Sequence, residues 1–72
     1  MFALYDTLND CTVSRHRTIA AAVKNQIKFN KAVKKRNGQN SYVPTAIIDR
    51  DGNDVTYSDE AIAAEFSITS GR

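Results

Sequence analysis

Residues 18–38, TIAAAVKNQIKFNKAVKKRNG, decide how this chain folds. Ile19, Ala20, Ala22, Val23, Ile27, Phe29 and Val33 recur at the three- and four-residue intervals of an α-helix and cover about half its circumference, enough for a core-facing side. Ser14 or Thr18 is placed to cap its start, because a short hydroxyl side chain can accept from the free amides of the first turn. Asn37-Gly38 marks its end, where glycine is expected to take the left-handed conformation just past the last turn. The opposite side is cationic. Arg17, Lys24, Lys28, Lys31 and Lys35 follow one another at intervals of 7, 4, 3 and 4 residues, which at about 100° per residue confines them to a stripe roughly 60° wide. From Cys11 to Ile48 there is no Asp or Glu. Like charges at these intervals oppose the helix by a few tenths of a kcal/mol per pair, and nothing on the helix relieves them. The stripe therefore reads as a face for an anionic partner. A solvated face, or one covered by an acidic part of the same molecule, is the alternative.

The flanking sequence supplies short strands and turns. Phe2-Ala-Leu-Tyr5 alternates as a strand does, Asp6 to Asp10 has turn chemistry, and Cys11-Thr-Val13 returns as a second strand. After the helix, Gln39 to Thr45 is a polar connector from which Pro44 excludes helix. Ala46-Ile-Ile48 predicts a third strand, Asp51-Gly52 a hairpin turn, and Val55-Thr-Tyr57 the returning strand. Ser58 caps a second helix with Asp59 and Glu60 in its first turn, Ile62 and Phe66 are placed to dock it, and Ser67 to Arg72 is expected to fray. The expected fold is α+β, with order ββαββα: an antiparallel sheet of three to four strands packed on one long basic amphipathic helix, residues 1–72 forming one domain.

Composition narrows the function. No run of eighteen apolar residues is present and the N-terminal MFALYD lacks a basic region followed by an apolar stretch, so neither a membrane span nor a signal peptide is expected. The single cysteine, Cys11, cannot form an internal disulfide, which favours the cytoplasm, and it is expected to be a small buried strand residue. A core this small without disulfide or metal often leans on self-association, so a homodimer stays open. Residues 1–45 carry eight cations against Asp6 and Asp10, a local +6, whereas residues 46–72 carry two against six carboxylates, a local −4. Such asymmetry points to an anionic partner.

Chemistry of other kinds is not expected. Asp49, Asp51, Asn53 and Glu60 match offsets 1, 3, 5 and 12 of a calcium loop, but Asp54 stands where the loop needs glycine. Cys11 and His16 are the only soft ligands, too few for zinc, and no third group marks a cysteine nucleophile. The three glycines are isolated, so there is no phosphate loop. No cofactor and no enzymatic activity are expected. Phe2, Tyr5, Tyr42 and Tyr57 read as core residues with hydroxyls at the rim, because no RNA-binding motif accompanies them. The candidate binding residues are Arg15, Arg17, Lys24, Lys28, Lys31 and Lys35. Lysine is suited to phosphate and poor at reading bases, so the expected partner is a nucleic-acid backbone or nucleoprotein complex, with an acidic protein surface as the alternative.

Tyr5-Asp6-Thr7, then Val13-Ser-Arg-His-Arg-Thr18-Ile and the alanine-rich basic helix, resemble the small accessory proteins of phages and other bacterial mobile elements. That resemblance spans residues 5–38 and implies either nucleic-acid binding or inhibition of a host defence complex of the CRISPR type. DNA readers of the AP2 type also combine a small sheet with a helix, but there the helix follows three strands, whereas here it interrupts them.

Overall fold

The computed structural model describes residues 1–38 and 40–70; Gln39, Gly71 and Arg72 lie outside the described residues, and with them the end of the segment expected to fray. Strand β1 (Phe2–Asp6) is the centre of a three-stranded antiparallel sheet, flanked by β2 (Cys11–His16) and β3 (Thr45–Ile48). Helix α1 (Ile19–Asn37) and helix α2 (Asp59–Thr69) complete the order ββαβα. The shortest dimension of the molecule is 17 Å, the thickness of one sheet and one helical layer.

The β1–β2 hairpin turns on Asp6. Its carboxylate is 5% exposed yet fully engaged, accepting from the Leu8 and Asn9 amides at 2.9 Å and from Asn9 Nδ2 at 2.8 Å. These bonds hold the Asp6 carboxyl below the ordinary aspartate range, the Asn9 amide contributing most. Asp10 completes the turn at φ 57°, a conformation that aspartate tolerates better than most residues. The register shifts between Leu4 and Tyr5, so that Leu4 faces Ser14 and Tyr5 faces Thr12. Val13 is the extra residue of this bulge and packs against the core.

Leu4, Ala22, Val23, Ile47 and Ala61 form the buried cluster, drawn from β1, α1, β3 and α2. Phe2, Ile19, Ile27 and Phe29 pack around it as their spacing predicts, whereas Ala20 is exposed. Helix α1 starts and stops at the expected residues. The Thr18 hydroxyl accepts from the Ala21 amide at 3.1 Å, and the Gly38 amide returns to the Lys34 carbonyl at 2.8 Å. Gly38 has φ 107° and ψ 161°, not the left-handed conformation expected but an extended one with positive φ, essentially restricted to glycine.

Four further details differ from expectation. The segment after Gly52 does not form a fourth strand: Asp54 makes a single bridge to Ile48, and the Val55 amide donates to the Ile47 carbonyl at 2.8 Å. The next ladder bond goes to a side chain, because the Ile47 amide donates to Thr56 Oγ1 at 2.9 Å. The chain then turns at once into α2, whose Ser58 cap accepts from the Ala61 amide at 3.2 Å. Secondly, α2 docks through Ala61, Ala64 and Ile68, while Ile62 and Phe66 are 53% and 73% exposed. Small alanines let α2 approach its neighbours closely. Thirdly, α2 continues through Thr69, so residues 67–69 are helical rather than frayed. Fourthly, Cys11 is exposed near the hairpin turn, and so are Tyr42 and Tyr57.

Candidate nucleic-acid interface

The lysines at 24, 28, 31 and 35 are all exposed on α1, whose buried residues are Ala22, Val23 and Val33. At about 100° per residue the stripe lies roughly opposite the buried side, directed away from the sheet. Lys24 and Lys35 are eleven residues apart, so the stripe runs for about 16 Å, with steps of about 4.5 or 6 Å. Lys34, Lys35 and Arg36 occupy the last turn, where the helix dipole favours cations. The first turn of α1 has no acidic residue.

The two arginines stand apart from the lysines. Arg17 precedes the Thr18 cap, so it is not on the helix but in the bend between β2 and α1, exposed at the end of the stripe. Arg15 lies in β2 opposite Ala3. Its neighbour Ser14 reaches α1 through a 3.2 Å bond to Asn25 Oδ1 and also bonds His16 Nε2 at 2.8 Å. Side chains alternate along a strand, so Arg15 is on the sheet face turned away from α1. The molecule thus unites Lys24, Lys28, Lys31 and Lys35 on one surface, places Arg17 at its margin, and puts Arg15 on the other layer.

A shallow groove follows the stripe. Ile27 and Ile68 form its floor, and Lys24, Lys28 and Lys31 line it, in a volume of about 350 Å³. Ile68 belongs to α2, so this apolar floor depends on helix packing and was not legible as a site. A second hollow, polar and of about 180 Å³, lies on another side of α1 and includes Gln26, Asn30, Tyr42, Tyr57 and Glu65. Gln26 Nε2 donates to Thr45 Oγ1 at 2.9 Å, which ties α1 to the start of β3 beneath that hollow.

Among the described residues, no three His, Cys, Asp or Glu side chains are grouped as metal ligands, and no helix is long and apolar enough to cross a membrane. In the segment that suggested a calcium loop, the Asp49 and Asp54 carboxylates bond to backbone amides. Asp49 Oδ1 accepts from the Asp51 and Asn53 amides at 2.9 Å, and Asp54 accepts from the Thr56 amide at 2.9 Å. Hydrogen bonding keeps both carboxyls below the ordinary range, led by the Asn53 amide for Asp49 and the Thr56 hydroxyl for Asp54. No protein-family model matches this chain, and neither a curated protein nor a solved structure is significantly similar to it.

Proposed function

We propose that this chain is a small non-enzymatic binding protein that docks α1 on the backbone of a nucleic acid or nucleoprotein complex in the cytoplasm. The observation that carries the reading is the exposure of Lys24, Lys28, Lys31 and Lys35 along one helical surface with no carboxylate on α1 to balance them. Each phosphate neutralised releases condensed counterions, so binding weakens steeply as salt rises. Point-charge lysines confer little base preference. Arg17 extends the contact at its margin, and Arg15 takes part only if the ligand wraps around to the sheet.

Fluorescence anisotropy with short labelled duplex DNA, single-stranded DNA and RNA tests this at low and physiological salt. The expected result is salt-sensitive micromolar binding. The double variant Lys28→Glu/Lys31→Glu should abolish it while the circular-dichroism spectrum stays unchanged. Equal binding by that variant would remove the stripe as the site.

The groove favours a second reading. Phosphates have no use for Ile27 and Ile68, whereas an acidic protein segment with apolar side chains would match both floor and rim. In that reading the chain is a phage-type inhibitor seated on an acidic or nucleic-acid-binding surface of a host complex, in line with its resemblance to mobile-element accessory proteins. Pull-down from a nuclease-treated bacterial lysate separates the two readings. A stoichiometric protein retained after nuclease supports the inhibitor, and loss of all bound material supports direct nucleic-acid binding.

A further inference from the structure

The polar hollow between α1, α2 and the 42–57 segment is independent of the lysine stripe. Its lining holds one acidic side chain, that of Glu65. Several of its other polar groups can accept. Thr45 Oγ1 already accepts from Gln26 Nε2 at 2.9 Å, which leaves the Gln26 carbonyl oxygen for a guest. The Thr56 hydroxyl accepts from the Ile47 amide and donates to Asp54, so it has no proton to offer. Asn30 adds an amide from the next turn of α1. Two aromatic rings stand at this opening, Tyr42 at 71% and Tyr57 at 85% exposure.

A carboxylate, amide oxygens and uncovered tyrosine rings are the complement of a guanidinium group. That group is planar, carries five N–H donors and no acceptor, and stacks on aromatic faces. A volume of about 180 Å³ admits such a head group and the end of its aliphatic stem, and is too small for a folded element. An ammonium ion would also satisfy Glu65 and be drawn to the rings, but it has three donors against five and no flat face to stack on them. We infer that this hollow receives an arginine side chain presented by a partner protein, bound between Tyr42 and Tyr57 with its charge met by Glu65. The chain then engages its target with two surfaces of opposite preference, one for anions along α1 and one for a single cation beside α2.

The test is a ¹⁵N-heteronuclear NMR titration of the full chain with N-acetyl-arginine amide, repeated with N-acetyl-citrulline amide, its neutral isostere. Arginine should shift the amides of Gln26, Asn30, Tyr42, Tyr57 and Glu65, with a dissociation constant on the order of millimolar. Citrulline should bind at least about fivefold more weakly, a difference of about 1 kcal/mol. Glu65→Gln and Tyr42→Ala alter exposed side chains and should each weaken arginine binding while preserving spectral dispersion. Lys28→Glu/Lys31→Glu should leave it unchanged, which separates this site from the stripe. Equal shifts with arginine and citrulline, shifts centred elsewhere, or no response at saturating arginine would overturn the inference.

Discussion

The two helices are built by the same local rules and end with opposite surfaces. Both start on a hydroxyl cap, Thr18 for α1 and Ser58 for α2. Helix α2 has Asp59 and Glu60 in its first turn, as the dipole favours, whereas α1 has no acid in its first turn and gathers four of its six cations along one side. Helix α1 buries its valines and exposes lysines; α2 buries the small Ala61 and exposes Ile62 and Phe66. Folding alone would accept acids interleaved among the lysines of α1 and polar residues at 62 and 66. The side chains that stability does not require are therefore cationic on one helix and apolar on the other.

The sharpest way to break this contrast is to place the same charge at two positions of α1. Ala22 is fully buried, so Ala22→Glu should remove more than about 4 kcal/mol and unfold a domain of this size, because the carboxylate has no partner in the core. Two residues on, Lys24→Glu should be neutral or stabilising by about 0.2–0.5 kcal/mol, since it creates a favourable pair with Lys28. Chemical denaturation checks both. If Lys24→Glu proves as damaging as Ala22→Glu, the lysine face is structural.

Acid acts on the turns. Asp6, Asp49 and Asp54 all have carboxyls held below their ordinary values by hydrogen bonds that the unfolded chain lacks. The unfolded state therefore takes up protons first as pH falls, so stability is fully present at neutral pH. It should decline from about pH 4, the ordinary aspartate value, as pH drops through the lower folded values. Thermal melts from neutral pH to pH 3 measure this, and Asp6→Asn should flatten the profile. A melting temperature independent of pH over that range would contradict the turn bonds.

Smaller effects separate the caps. Thr18→Ala removes one bond and should cost about 1 kcal/mol. Ser58→Ala should cost more, toward about 2 kcal/mol, because its hydroxyl also donates to the Val55 carbonyl at 2.9 Å and so anchors the turn before α2. Equal losses would show that the second bond adds nothing. The smallest change is expected at Phe66. At 73% exposure, Phe66→Ala should alter stability by no more than about 0.5 kcal/mol, against the 3–5 kcal/mol typical of a buried phenylalanine. A loss in the buried range would mean that Phe66 is covered in solution, for which sedimentation would reveal a dimer.

Legibility followed the range of the interactions involved. Helix α1, its Thr18 cap, its Gly38 end and its lysine face depend on neighbours within a few residues, and the periodicity of residues 18–38 contains all of that information. The fourth strand was misread because Val55-Thr-Tyr57 has ordinary strand composition; the Thr56 hydroxyl takes the bond that a strand carbonyl would take, and no propensity anticipates that exchange. For α2, Ile62 and Phe66 made as good a docking pair as Ala61, Ala64 and Ile68, and only close approach to α1 selects the alanines. The polar hollow was invisible because Gln26, Tyr42, Tyr57 and Glu65 share no spacing and meet only in the fold. Arg15 was grouped with the lysines by its place in the chain, yet strand alternation turns it to the other layer.

The bond from Ile47 to Thr56 has a consequence for the company this protein keeps with itself. A sheet of order β2-β1-β3 has two free borders, and a border with unpaired amides invites another chain to add a strand. On β3 the Val55 amide and the Thr56 hydroxyl already occupy the Ile47 carbonyl and amide, so at Ile47 an added strand finds no free backbone pair. The β2 border is kept irregular by the bulge at Val13 and charged by Arg15. Both borders of this small sheet thus carry features that oppose edge-to-edge joining of copies, a hydroxyl group on one and a misfit and a charge on the other.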